Sequence, residues 1–379
     1  MRIHVVQPGE SAWTIANEYG VNVQIIIDVN GLADLPYLIP GQALVIPTGE
    51  STEFGTIEVN AYINPVSEQV DRDRVDEVGE YLTYISPFSY QVNEDASLTE
   101  LRDNIVLETA DEYGIAPLMV ITNFRDGNFD AQLVHEILDS TTLQDTLFEN
   151  ILEVLESKNY YGLNIDFERI PPEDRELYNE FLRRVVNALN PEGYSVSTAL
   201  APMPYDITVG EWHGAHDYRA HGEIVDFVVL MTYEYGWSGG APMAVAPINE
   251  VRKVLDYATS VMPADKIMMG IPLYGYDWTL PYDPEGEWAR AISPQQALQI
   301  AAQYGVTIQY DDIAQSPYFY YSTNGEEHEV WFEDARSIRA KLLLADEYGI
   351  RGVSYWVLGN DFPQNWVVLD DMFNIEKLR

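Results

Sequence analysis

Tyr160-Tyr161-Gly162-Leu163-Asn164-Ile165-Asp166-Phe167-Glu168 combines strand periodicity and acid chemistry in one short stretch. Successive side chains of a strand point to opposite faces, so Leu163, Ile165 and Phe167 share one face and Gly162, Asn164, Asp166 and Glu168 the other. One face is apolar, and the other is a row of polar groups roughly 6 to 7 Å apart. Burying such a row costs free energy unless the groups are used. A solvated edge strand would show the same alternation. Here, however, Glu168 is followed by Arg169-Ile170-Pro171-Pro172 and then by an amphipathic helical pattern from Glu173 to Leu189. Strand, loop and helix in that order fit a barrel whose chemistry lies at the carboxyl ends of its strands.

The chain has 379 residues, enough for one large domain and a small one. It has no cysteine, which excludes disulfides and thiolate metal sites. Met1-Arg2-Ile3-His4 is not the start of a signal peptide, and no apolar run reaches membrane-spanning length, so neither classical secretion nor a span is expected. The formal net charge is −40, a field that repels nucleic acid and anionic lipid. Two readings of that charge stand: an acidic surface suited to salt or solubility, or attraction of a cationic aminosugar polymer. The chain is expected to act as a monomer.

Beyond a polar linker at 49–55, strand-like segments recur with helices between them. They are Ile57 to Ile63, Leu82 to Phe88, Pro117 to Asn123, Gly162 to Glu168, Ser195 to Ala201, Phe227 to Tyr233, Ile267 to Leu273 and Val353 to Val357. Alternation of this kind, with right-handed crossovers, predicts an α/β fold, a (β/α)8 TIM barrel over residues 56–379. Helices are predicted at Val70 to Tyr81, Ser97 to Tyr113, Asp130 to Ser157, Pro247 to Val261 and Asp334 to Tyr348. The stretch from about 277 to 331 reads as a small α+β insertion after strand 7, with a helix at Pro294 to Tyr304.

Residues 1–48 read as a separate βααβ unit, and the wording "HVVQPGESAWTIANEYGV", "VNGL" and "LIPGQALVIP" resembles a LysM domain. That resemblance implies a shallow groove for N-acetylglucosamine chains, which maps onto Gly9, Glu10, Ser11, Asn30, Leu38 and Ile39. Turn chemistry alone also accounts for each of these residues. A single copy implies weak affinity, useful chiefly for holding the enzyme on a repetitive polymer.

The larger unit resembles glycoside hydrolase family 18, the chitinases and N-acetylglucosaminidases. Its fourth-strand signature, Asp-Gly-x-Asp-x-Asp-x-Glu, is met by Tyr161-Gly162-Leu163-Asn164-Ile165-Asp166-Phe167-Glu168, with Tyr161 and Asn164 replacing the first two acids. "MTYEYG" (231–236) resembles the sixth-strand motif with Glu234 in place of Asp. "GIPLYGYDW" (270–278) resembles the seventh, and Trp356 of "GVSYWVLGND" takes the place of the sugar-stacking tryptophan.

The resemblance implies retaining, substrate-assisted cleavage, in which the acetamido oxygen of the sugar is the nucleophile. Glu168 would be the acid and then the base, Asp166 would hold the acetamido N–H, and Tyr233 would donate to its oxygen. Asn164, Met231, Glu234 and Trp356 would complete the −1 site, with Met231 beside Tyr233 by strand parity. Tyr62, Phe88, Asn123, Tyr276, Asp277 and Trp331 sit at or after strand ends and are candidates to line the groove.

His213, His216, Asp217 and His221 match no standard zinc spacing, and the implied mechanism needs no metal and no cofactor. The pairing of a LysM unit with this barrel resembles the spore-cortex-lytic and spore-envelope N-acetylglucosaminidases of endospore formers. It implies peptidoglycan as substrate and a spore location. A chitinase, or a non-catalytic lectin on the same barrel, are the alternatives. Loss of the terminal acid would mark the lectin, and Glu168 is present.

Overall fold

The computed structural model describes residues 1–49 and 54–379; residues 50–53 of the expected linker lie outside the described residues. At the amino end, Arg2–Val5 pairs antiparallel with Ala43–Ile46, and helices Ala12–Tyr19 and Val23–Val29 lie between them in sequence. Ser11 starts the first helix because its side chain accepts the Thr14 N–H while Thr14 caps back, and Gly20 ends it in the left-handed region. Val6, Ile15, Ala16, Ile26, Leu32, Leu44 and Ile46 form this unit's own core.

The larger unit is a closed parallel barrel. Its strands are Thr56–Ile63, Tyr84–Pro87, Ala116–Thr122, Gly162–Asp166, Ser195–Leu200, Phe227–Leu230, Ile267–Pro272 and Gly352–Leu358, numbered here as barrel strands 1 to 8. Each pairs with the next, and strand 8 closes on strand 1 through Gly352↔Glu58 to Tyr355↔Ala61. The apolar face of strand 4 turns outward: Leu163, Ile165 and Phe167 join the layer beneath the helices, and Phe167 meets Phe181 of helix Arg175–Leu189 at 5.7 Å between ring centroids. Burying a ring of that size contributes about 1.5 to 3 kcal/mol. The opposite face points into the barrel, whose interior is filled by Tyr62, Tyr84, Leu118, Val120, Phe227, Val229 and Met268.

Several elements differ from the sequence expectation. Strand 6 stops at Leu230, three residues short, because Thr232 and Tyr233 bond back to Leu230 and Met231 carbonyls (2.8 and 2.7 Å) and leave the ladder. The segment from Asp130 to Ser157 is two helices, Ala131–Asp139 and Thr141–Ser157, broken at Ser140, whose side chain caps the second. The helix expected from Ser97 begins at Asn104. A last helix, Pro363–Met372, and a short one, Tyr218–Ile224, were not foreseen. The insertion is a five-stranded antiparallel sheet ordered 290–292, 275–280, 326–331, 316–323, 309–311, so its first strand starts at Gly275. Helix Pro294–Tyr304 packs on that sheet.

The amino-terminal unit is docked, not tethered. Gln364 Nε2 donates to Asn30 Oδ1 and the Ala43 carbonyl, both at 2.8 Å, and Gln295 Nε2 donates to the Gly31 carbonyl at 2.6 Å. The Ile308 N–H donates to the Pro40 carbonyl at 3.0 Å, and the Met1 ammonium meets Asp371 at 2.7 Å. Ile39 is buried in the insertion's core, while Ala43 and Val45 join that of the barrel. Gly41 makes the approach possible: at φ +84°, a Cβ there would lie 1.9 Å from the Ile308 carbonyl oxygen.

Candidate active site

Strand 4 delivers the polar row of the opening sequence to the barrel mouth. Deepest is Asn164, buried, which accepts the Tyr62 hydroxyl at 2.9 Å and donates to Ser197 Oγ at 3.0 Å. Above it Asp166 is buried, and its Oδ1 has no hydrogen-bond partner among the described residues. Glu168 follows at the strand's carboxyl end and is partly buried.

Burial disfavours the charged form of both acids. The Asp166 carboxyl is pushed up to about 7. Glu168 is raised well above the usual range, by burial first and then by the charges of Asp166 and Glu234. The two titrate as a pair, so at neutral pH the site holds a proton that ordinary carboxylates would have lost.

The backbone of Glu168 is held from two sides. Asn123 Oδ1 accepts its N–H at 3.0 Å, while Asn123 Nδ2 donates to its carbonyl at 2.8 Å and to that of Asp130 at 3.1 Å. On the other side, His216 Nδ1 accepts the Ala201 N–H at 2.9 Å, which leaves its ring proton on Nε2, facing the Phe167 carbonyl at 3.3 Å. Burial pushes His216 down to about 4, so the ring is neutral at working pH. Asn123 is therefore a clamp on the acid's main chain. That role is invisible in sequence, because the bonds cross 45 residues.

Tyr233 lies against strand 7, where Gly270 leaves room: a Cβ there would sit 2.8 Å from the tyrosine ring. Burial, followed by the nearby Tyr62, Asp166, Glu168 and Glu234, keeps its hydroxyl protonated. Glu234, at φ +62°, accepts the hydroxyls of Tyr274 and Tyr276, the latter at 2.9 Å. Burial raises its pKa and the two phenols oppose the shift. Trp356 is partly exposed and meets the ring edges of Tyr62 (5.5 Å) and Phe88 (4.9 Å). Tyr276 and Trp331 pack in one aromatic cluster with Trp278, Tyr233 and Trp356. Met231 is partly buried just past the end of strand 6, so its position beside Tyr233 follows from the turn and not from strand parity.

Besides Asn123, which is buried as the clamp and does not line the groove, and Ile39, buried in the insertion's core, two more expected contacts are corrected. Asp277 is buried inside the insertion, where it accepts Tyr321 Oη at 2.8 Å and pairs with His328 at 3.0 Å. Asn30 is fully buried and bonds Ile26, Val45 and Gln364, so it holds its own loop and the docked interface. Of the other LysM positions, Ile39 is buried, Leu38 is partly buried against the unit's own core, and Glu10 pairs with His4 at 2.9 Å; Gly9 and Ser11 are exposed. His221 bonds Thr198 at 3.0 Å and Asp217 caps helix Tyr218–Ile224. Ser197, Tyr274 and His216 support the site without having been singled out for it. The sequence signals were Tyr274 within the GIPLYGYDW stretch and His216 within the rejected metal cluster.

A closed parallel barrel with acids and aromatic rings gathered at the carboxyl ends of its strands has the face on which enzymes of this fold carry their active sites. The family model for glycosyl hydrolases family 18 matches residues 127–361 and that for the LysM domain residues 4–47; the chain belongs to family 18, is a glycosidase, and carries a LysM domain. It is 40% identical over 427 aligned residues to the cortical fragment-lytic enzyme of Bacillus subtilis (strain 168), covering 100% of this chain and 99% of that protein. The crystal structure of the Bacillus megaterium QM B1551 spore cortex-lytic enzyme SleL superposes with a TM-score of 0.83 at 42% identity, covering 100% of this chain and 87% of that one. A chitinase from Chromobacterium violaceum ATCC 12472 superposes at 0.77 with 25% identity, covering 83% of this chain and 98% of the other.

The Asn164 position gives a test of the electrostatics. Acid catalysis by this pair would require one proton, on Glu168, with Asp166 ionised. An added carboxylate at 164 disfavours loss of either proton, so both pKa values rise. The Asn164→Asp variant should therefore move the acidic limb of kcat/KM toward higher pH on a soluble substrate. Superimposable profiles would show that position 164 is electrically remote from the pair.

Proposed function

We propose that the chain hydrolyses the β-1,4 bond after N-acetylglucosamine in peptidoglycan, spore cortex or its fragments, with retention and substrate assistance. The single observation that carries the mechanism is the buried Asp166–Glu168 pair, with its raised pKa values and the orphaned Asp166 Oδ1. An acid protonated at neutral pH can give its proton to the leaving oxygen, and an unsatisfied buried acceptor fits an acetamido N–H.

Glu168 donates a proton to the glycosidic oxygen as the C1–O bond breaks. The acetamido oxygen closes on C1 to give an oxazolinium, which Asp166 stabilises through the N–H and Tyr233 through the oxygen. Water then opens the ring while Glu168 takes its proton. Trp356 forms the floor under the sugar, with Met231, Tyr62, Phe88, Tyr276 and Trp331 around it, and Glu234 orients the Tyr274 and Tyr276 hydroxyls.

Similarity over the whole chain to cortex-lytic proteins, against partial coverage by a chitinase, favours peptidoglycan over chitin. The reading places a monomer at the spore, with residues 1–48 binding N-acetylglucosamine polymers through Gly9, Glu10 and Ser11 and residues 56–379 as the catalytic unit. No helix among the described residues is long and apolar enough to cross a membrane. Incubation with purified cortex peptidoglycan and with chitin, followed by mass spectrometry of the new reducing ends, tests the proposal. N-acetylglucosamine ends from cortex are expected; release from chitin alone would overturn the substrate.

A further inference from the structure

A pocket of about 430 Å³ is lined by Arg125, Asp126, Phe129, Asp130, Glu211 and Arg169, the residue after Glu168, among others. It is physically joined to the acid in two ways. Arg169 is the next residue after Glu168, turned aside by a left-handed φ of +54°, and the Asn123 amide that holds the Glu168 carbonyl also holds that of Asp130.

The charges of the pocket are unevenly satisfied. Arg125 is committed, to Glu94 at 2.6 Å and Asp130 at 2.5 Å, and Asp130 also caps a helix through the Leu133 N–H. Arg169 is not committed in this way. Its guanidinium lies over Trp212 at 5.4 Å, its pairing with Glu211 is loose at 3.4 Å, and its Nε is enclosed with no hydrogen-bond partner among the described residues. A protein of net charge −40 thus keeps a cation with spare donors at the residue that follows its acid in sequence. A guanidinium fork suits a carboxylate.

The substrate chemistry supplies one at this place. In peptidoglycan the sugar leaving through its O4 carries on O3 a lactyl ether ending in a carboxyl, free or extended by a peptide that itself ends in a carboxylate. O3 is on the carbon next to the one whose oxygen Glu168 protonates. That substituent must therefore leave the cleft beside the acid, whereas chitin has only a hydroxyl there.

We propose that the pocket beside Glu168 is a subsite for the carboxylate-bearing O3 substituent of the leaving sugar, with Arg169 as its contact. The proposal rests on the peptidoglycan reading above and makes the pocket the element that separates peptidoglycan from chitin. Trp212 holds the guanidinium flat, and Glu211 competes with the ligand for it.

The test compares the full-length protein with its Arg169→Gln and Glu211→Gln variants. Three soluble oligosaccharides differ only at O3 of the leaving sugar: hydroxyl, free lactyl, and lactyl-peptide. The ratio of kcat/KM for substituted over unsubstituted substrate should fall about tenfold or more in Arg169→Gln, since a charge-assisted contact is lost. It should rise in Glu211→Gln, a change in the opposite sense that misfolding cannot produce. An effect with the free lactyl substrate alone assigns the lactyl carboxylate, an effect with the peptide alone assigns the carboxylate of the stem, and an effect with both assigns a pocket that takes either; each supports the subsite. If the wild type cleaves the substituted substrates and neither variant alters the ratio, the subsite is overturned and the peptidoglycan reading stands. If the wild type leaves the substituted substrates intact, the peptidoglycan reading itself fails.

Discussion

Replacing Glu168 by glutamine is expected to lower kcat by about 10²- to 10⁴-fold while the protein stays folded, because an amide of the same shape has no proton to give. The supports that place residue 168 act on its main chain: Asn123 grips the N–H and the carbonyl, and His216 faces the preceding carbonyl. None of them depends on the carboxyl. Glu168 already holds the pair's proton at neutral pH, so a neutral amide leaves the charge beside Asp166 unchanged and the thermal midpoint should hold. Turnover on a soluble substrate and a thermal melt on the same sample check both halves. Wild-type turnover in the variant would reassign the acid.

Deleting residues 1–48 is expected to cost activity on soluble fragments as well as on insoluble wall, and to lower Tm by about 10 °C. A tethered module would affect insoluble substrate alone, through local concentration. This one covers apolar surface. Ile39 fills the insertion's core beside Leu298 and Phe332, and Ala43 and Val45 are part of the barrel's. Each large apolar side chain returned to water costs about 1.5 to 3 kcal/mol, and each kcal/mol moves Tm by about 2 to 4 °C in domains of this size. Gly41→Ala separates docking from mere presence, since its Cβ would meet the Ile308 carbonyl at 1.9 Å and prise the two units apart with no residue removed. Unchanged Tm and unchanged soluble activity in both proteins would overturn the docked role.

The barrel was legible because its strands alternate or run apolar, and local patterning sets which face is covered. Strand 4, expected from Gly162 to Glu168, ends at Asp166; Leu163 and Ile165 face outward as the alternation requires, so Asn164 and Asp166 face inward, while Glu168 lies two residues past the strand. Patterning failed where a side chain replaced a ladder bond. Thr232 Oγ1 bonds the Gly270 carbonyl at 2.7 Å, and the strand ends early although its residues still read as strand. The helix break at Ser140 was written in the sequence as a capping residue, but the apolar periodicity on both sides obscured it.

What no local rule could supply was the fate of polar residues whose partners are distant. Asp277 satisfies its charge 44 and 51 residues away, and Asn30 meets Gln364 across 334. Both look like surface binding groups until those partners are known. Two acids spaced two residues apart on one strand suggest like-charge repulsion as the cause of a raised pKa, whereas burial is the leading cause in both residues.

The docked amino-terminal unit also limits how this chain can be recombined. Small binding domains of its kind are natural cassettes, exchanged by cutting at a linker. Here Gln295 and Gln364 read backbone carbonyls and an asparagine of one particular partner, and Gly41 fits one particular carbonyl. A foreign cassette joined at the same linker would leave two glutamines facing the wrong surface and an apolar seat without its occupant. Gene fusions that keep the body but trade the head must carry these contacts with them, so head and body are inherited as one piece.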